Sequence, residues 1–461
     1  MLPTVLRLRD KFVPLVTQPT SVADGKRLHG WTRLLVLSVA ILLITGQVAI
    51  WGVGIAGSGG PEVYVRGKTD LIAVLTGGLM IRAGEGNLLY DLVAQHEYQK
   101  RVLAPYLALN SDRTLPNSHP PFETLLIAPL MDLPYSVIFG AWTLLELAAL
   151  AAALWLLVTA LPVERTRRWA MIALACAYYP VHAMLWLGLS SSLLLLGLCG
   201  VYAALKHRRD TWAGVALALL AIKPQLALPI IVLLLVQRCW KPLVVMGFIL
   251  TGLSLAVMPL IGVAWPLRYL AFLASVRHWG GNLGEHPELM YNWRGFAIHV
   301  VGAWSPGLIT PVYGGLPVAS ACLMLWIGWC GYRSSSAPIR VGAFAPEFDL
   351  LWALVGLMAI LLPVHPYLHD FTLLILPGWI LGAYATSGGW TVTYSRVWIT
   401  LLWFGFALAL LGFFLIERPA VGIVLNVGLV AVAIGILAWR LVVMRSPSAL
   451  LPLDAASADP W

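Results

Sequence analysis

Residues 215–236 read VALALLAIKPQLALPIIVLLLV, an apolar run interrupted at Lys223-Pro224-Gln225. A lysine inside such a run is costly unless it reaches water or pairs with an anion. The proline after it breaks a helix and leaves a carbonyl unpaired to line a cavity. Each half is shorter than the roughly 20 residues a helix needs to cross a bilayer. The stretch therefore reads as two short helices, tilted or packed within a bundle of membrane helices, where broken helices are tolerated. Lys223 itself has two readings: snorkelling to a membrane interface, or a cation that holds a phosphate close to the membrane surface.

The rest of the chain supports a membrane setting. Of its 461 residues 60% are hydrophobic and 11% charged, and its mean hydropathy is +0.83. Soluble domains carry about 25% charged residues, so this is an integral membrane protein. The 21 Trp and 15 Tyr suit rings placed at bilayer interfaces. The net charge of +9 does not indicate nucleic acid, because the arginines fall in short loops between apolar runs. Cys176, Cys199, Cys239, Cys322 and Cys330 lie in or beside apolar runs, and no CxxC occurs. They read as small core residues, and neither a metal nor a cofactor is expected.

Spans are expected at 34–55, 136–160, 169–185, 187–205, 211–222, 225–237, 242–263, 315–332, 349–363, 371–386, 397–416 and 420–443, about twelve in all. The first is too long for a signal-peptide core and reads as a retained span. With residues 1–33 as a basic cytoplasmic N-terminus, the inner loops hold Arg165, Arg167 and Arg168, then Lys206, Arg208 and Arg209, then Arg238 and Lys241. Arg333, Arg340 and Arg396 follow, then Arg440 and, within a cytoplasmic tail at 444–461, Arg445. Every such loop is basic, as the positive-inside rule asks. The expected architecture is an all-α polytopic bundle over 34–443 with two long outer segments, 56–135 and 264–314. In the first, Leu71, Val74, Leu75, Gly78 and Leu79 recur at i, i+3, i+4 spacing, which predicts an amphipathic helix on the membrane surface. Residues 123–133 read as a second interfacial helix. No internal repeat points to a transporter built from symmetric halves.

The charged residues suited to chemistry share the predicted outer side. Asp70 follows Thr69 at the start of the amphipathic helix. It is either part of a helix cap and dipole complement, or a general base at the mouth of a lipid-lined cavity. His365-Pro366-Tyr367-Leu368-His369-Asp370 joins two spans at their outer ends. It reads as a polar turn with a backbone-bonded histidine, or as a phosphate contact through His369. A metal site is not favoured, since the turn is short and no DxD occurs. Arg294, in Tyr291-Asn292-Trp293-Arg294-Gly295, either stacks on Trp293 or clamps phosphate with paired hydrogen bonds. His119-Pro120-Pro121-Phe122 reads as an extended lead into the next helix.

In order, these pieces are Thr69-Asp70-Leu71, Gly86…Leu89-Tyr90-Asp91, His119-Pro120-Pro121-Phe122…Leu126-Ile127-Ala128-Pro129-Leu130, Ala221-Ile222-Lys223-Pro224-Gln225, Asn292-Trp293-Arg294-Gly295, and the His365–Asp370 turn ahead of Pro377. Together they resemble glycosyltransferase family 87 of the GT-C superfamily, a polyprenyl-phosphate-sugar-dependent group that includes bacterial mannosyltransferases. The resemblance runs from about residue 35 to 440. It implies Asp70 as catalytic base and His369 in the donor-phosphate site; from their own residue readings, Lys223 and Arg294 are placed with His369 as donor-phosphate contacts. His365, Asp370, Gln225, Asp91 and His119 are further substrate-binding candidates.

The expected activity is an inverting transfer of a sugar, mannose favoured, from a polyprenyl-phosphate donor to a lipid or glycan acceptor. It would take place at the outer face of a bacterial plasma membrane, with membrane lipids as surroundings. One base and no enzyme nucleophile suffice for a single displacement; a retaining route needs a second placed group. The rivals are a polytopic transporter or lipid-linked-glycan flippase with the same residues lining a pathway, and a glycan ligase.

Overall fold

The computed structural model describes residues 22–103, 114–161, 163–275, 286–334, 346–363, 366–386 and 419–443, and every regular element in them is a helix. Helices satisfy their own backbone groups, which apolar surroundings require. Leu37–Gly57, Tyr135–Ala160, Trp240–Ile261, Pro306–Trp329 and Ala420–Ala438 are long and apolar enough to cross a membrane. Arg167–Ala177 and Tyr179–Leu187 make a sixth if counted as one span bent by 43°. Leu42, Val53, Leu144, Phe248 and Val318 stand largely exposed on these helices. A belt of that kind needs lipid to cover it.

The remaining expected spans form shorter apolar helices: Ser191–Lys206, Asp210–Ile222, Pro224–Val236, Phe348–Leu361 and Leu368–Tyr384. The span expected at 397–416 lies outside the described residues, as do His365, Arg340, Arg396 and Arg445. The chain breaks at Lys223 as its sequence predicts. Proline bars the preceding residue from helical backbone, and Lys223 is extended (φ −124°, ψ 85°) between Leu220–Ile222 and Pro224–Val236.

Ser191–Lys206 is the buried spine of the bundle. It packs on Tyr135–Ala160, on Asp210–Leu219 and on the Leu368–Leu374 turn. At its C-terminal end Lys206 Nζ donates to both Asp349 carboxylate oxygens at 2.5 and 2.7 Å. The hydroxyls of Tyr202 and Tyr384 donate to the same carboxylate at 2.7 and 2.6 Å. This buried cluster joins Ser191–Lys206, Pro346–Leu361 and Ile375–Thr386. A 16-residue helix is about 24 Å long, so the cluster is that far from Ser191 at the other end.

The Leu71–Arg82 helix forms as its periodicity predicts, but it does not lie on a surface. Leu71, Ile72, Ala73, Val74, Leu75, Thr76, Gly77, Gly78, Met80 and Ile81 are all buried. The spacing identifies one apolar face, and the opposite face is apolar or glycine too, so the helix is covered on all sides. The expected interfacial helix at 123–133 is a short helix, Phe122–Ile127, followed by a 3-10 turn, Ala128–Leu130, with Glu123 and Ile127 buried. The two long loop segments meet in a second core built from Met80, Ile81, Leu89, Tyr98, Val257, Ile261, Trp265 and Tyr269. Arg268 Nη1 donates to the Asn87 carbonyl at 2.7 Å across that contact.

Candidate active site

Asp70 stands between two helices, Pro61–Lys68 and Leu71–Arg82. The first is anchored by Glu62, whose carboxylate accepts from the Tyr135 and Ser136 amides at 3.2 and 2.8 Å and so caps the Tyr135–Ala160 helix. Thr69 does not cap the helix that follows it: its hydroxyl donates back to the Val65 carbonyl at 2.7 Å. Asp70 occupies the cap position without a side-chain capping bond. Its amide donates to the Leu187 carbonyl at 2.9 Å. The turn after Leu187 is held by Gly188 in the left-handed region (φ 70°), where a Cβ would meet Leu71 Cβ at 2.9 Å. Asp70 keeps part of its surface exposed while its carboxyl is closely surrounded. Burial pushes that carboxyl up to about 6, and the nearby charge of Lys223 pulls the other way.

Lys223 is buried and its Nζ donates to Asp370 Oδ1 at 2.7 Å. The same nitrogen lies 3.3 Å from His369 Nε2. A lysine ammonium carries donors only, so Nε2 accepts and the ring proton sits on Nδ1. Burial, together with the positive charges of Lys223 and His119, pushes His369 down to about 3 against the pull of Asp370. His369 is therefore neutral, with its Nδ1–H as a donor. Asp370 is fixed from a second direction, its Oδ2 accepting the Tyr367 amide at 3.1 Å.

His119 Nδ1 pairs with Glu123 Oε2. Burial works to raise the Glu123 carboxyl, but the adjoining His119 and the more distant Lys223 outweigh it and hold the group below its ordinary value. Asp70, Lys223, His369, Asp370 and His119 thus share one electrostatic neighbourhood.

Other candidates have different surroundings. The Arg294 guanidinium lies 5.8 Å over the Tyr313 ring and 4.0 Å from Met290 Sδ, so it stacks on a different ring from the Trp293 expected. Asp91 Oδ1 accepts the Val93 and Ala94 amides at 2.9 and 3.0 Å and caps the Leu92–Leu103 helix. Gln225 sits half-buried in the first turn after Pro224. Among the described residues no group of three or more His, Cys, Asp or Glu side chains is arranged to hold a metal ion.

Two residues of this neighbourhood escape a reading of motifs. Glu123 follows His119 at i+4 on the next helix. Glu146 is the lone charge in the Tyr135–Ala160 run, itself a signal of function in a membrane helix. Its Oε2 accepts the Ser192 and Leu193 amides at 2.9 and 3.3 Å.

An all-helical membrane bundle with Asp70, Lys223, His369, Asp370 and His119 in one electrostatic neighbourhood, at the far end of its spine from the basic loop after Lys206, defines the class of this protein. The sequence model of glycosyltransferase family 87 matches residues 118–363, just over half of the chain, and the chain belongs to that family. It is a glycosyltransferase enzyme, with a donor and an acceptor as substrates in a membrane setting. No curated protein and no solved structure matches it.

Proposed function

We propose that the enzyme moves a sugar, mannose by its family resemblance, from a polyprenyl phosphate to a lipid or glycan acceptor, with inversion. Asp70 is the general base. The observation that carries this reading is the Asp70 carboxylate, which caps nothing and which burial pushes up to about 6, towards the range suited to a general base. It takes the proton of the acceptor hydroxyl as that oxygen bonds to the anomeric carbon. The bond from that carbon to phosphate oxygen breaks, and the polyprenyl phosphate leaves with the electron pair. Lys223 has three donors, of which Asp370 and His369 take two. The third, with His369 Nδ1–H, serves the charge growing on the phosphate. The Tyr313-stacked Arg294 lies beside the turn that holds His369, since the Tyr291 amide donates to the Pro366 carbonyl at 3.0 Å.

The site is assigned to the extracytoplasmic face. Ser191–Lys206 and Pro224–Val236 each begin at the site and end at basic residues, Lys206 to Arg209 and Arg238 to Lys241. Basic loops stay in the cytoplasm, which leaves the site on the other side, with both termini cytoplasmic. Full-length protein in nanodiscs, given radiolabelled polyprenyl-phosphate-mannose and a host lipid extract, tests the reading. Transfer by the wild type, abolished in Asp70→Asn with donor binding retained, supports it. Equal transfer by the two proteins removes Asp70 from the mechanism.

A further inference from the structure

Within electrostatic reach of Lys223 lie four buried polar atoms outside the hydrogen bonds that hold the fold: Glu123 Oε1, Glu146 Oε1, Ser190 Oγ and Ser191 Oγ, with the Ser190 hydroxyl close to the Glu123 carboxylate. All four residues are at most 2% exposed. Buried carboxylates and hydroxyls without partners are rare, because each forfeits its hydrogen bonds to water. Four in one place call for an occupant. The chain brings them together through residues 187–192. Leu187 holds the Asp70 amide, Gly188 turns the backbone, Ser190 and Ser191 follow, and the Ser192 amide ends on Glu146. Glu123 joins from the other side, its second oxygen held by His119 and its charge felt by Glu146.

We propose that these four atoms form a subsite for the hydroxyl groups of the donor's sugar ring. Two carboxylate oxygens accept from sugar O–H groups, and two serine hydroxyls both give and accept. No part of the set is cationic or apolar, so a polyol fits it and a phosphate or acyl chain does not. Both glutamates lie within electrostatic reach of Lys223, and a sugar bonded to a phosphate on Lys223 places its ring within a few ångströms of that nitrogen. The assignment rests on the polyprenyl-phosphate reading above and adds to it the groups that recognise the sugar.

Binding to the full-length protein in nanodiscs tests it, with four labelled lipids as probes. These are bare polyprenyl phosphate and polyprenyl phosphates carrying mannose, glucose or arabinofuranose. Wild type is expected to bind one glycosylated lipid about tenfold or more tighter than the bare lipid. Glu146→Gln keeps an oxygen for the Ser192 amide and makes the free atom a donor; Ser191→Ala removes one hydroxyl. Both should bring that preference towards unity while binding of the bare lipid stays as in wild type. Three results overturn the proposal: no preference in wild type, an undiminished preference in both variants, or equal loss for bare and glycosylated lipids. Variants that keep the donor preference and raise only the acceptor KM would assign the subsite to the acceptor instead. A wild type that binds none of the four lipids overturns the polyprenyl-phosphate reading itself, and the subsite with it.

Discussion

A carboxylate at the start of a helix ordinarily closes the first turn, and Asp91 does so here. Asp70 occupies the same position without forming that bond; its neighbour Thr69 turns back to Val65, and its own carboxyl feels the charge of Lys223. The consequence for rate follows from its ionisation. A base must be unprotonated, so kcat/KM should fall by about tenfold per pH unit below about pH 6 and level off above it. Asp70→Asn should lower kcat/KM by about 10²–10⁴-fold and remove that acidic limb. A pH–rate profile of the two proteins checks both, and an unchanged limb in the variant would assign the titration elsewhere. Asp370 holds Lys223 at 2.7 Å and also accepts the Tyr367 amide, so under the proposed reading Asp370→Asn should weaken binding of the donor more than it slows chemistry. Comparing KM with kcat separates the two.

At the scale of the elements, the site depends on how helix ends are fixed. Gly188 is the tightest point. Its left-handed backbone costs an L-residue about 1–2 kcal/mol, and a Cβ there would press on Leu71 and Phe139. Gly188→Ala should displace the start of the Leu71–Arg82 helix and lower kcat with little loss of bundle helicity, as read by turnover and far-UV circular dichroism. At the other end of the spine, Lys206→Met strands Asp349 in a buried setting. Loss of one partner of such a pair costs about 3–5 kcal/mol, visible as a lower thermal midpoint, and Lys206→Met with Asp349→Leu should restore much of it. These ties also mark where the sequence stops being legible. Lys223, Asp70 and the His369-Asp370 turn read as candidates for chemistry because each interrupts an apolar or helical pattern, whereas His119 reads as part of an extended lead into the next helix. Glu62 and Glu146 do not read as such candidates, because each caps a helix remote from its own and nothing local names the partner. The Leu71–Arg82 helix was read as surface-bound because periodicity finds one apolar stripe, while burial depends on what packs against the other face. Its Gly77 and Gly78 admit Asn117, Thr124, Ile127 and Met131 at close range.

For the whole molecule, the separation between ends is the organising fact. The buried Lys206–Asp349 cluster secures one end of the bundle and the polar site fills the other, with an apolar spine between them. The helices long enough to cross carry most of the exposed apolar surface, and Trp240–Ile261 has only 11% of its apolar window buried. That helix is little covered by the rest of the protein, yet the carbonyl of its residue Leu260 lies against Gly86, where a Cβ would sit 2.5 Å away. Gly86 in turn belongs to the loop that follows the helix begun by Asp70. A thinner membrane tilts an apolar helix of fixed length, and that close contact would carry the tilt to the loop after Leu71–Arg82. Turnover in liposomes of graded acyl-chain length should pass through a maximum, and Gly86→Ala should shift or flatten it. The thickness of the surrounding lipid would then set the rate of this enzyme.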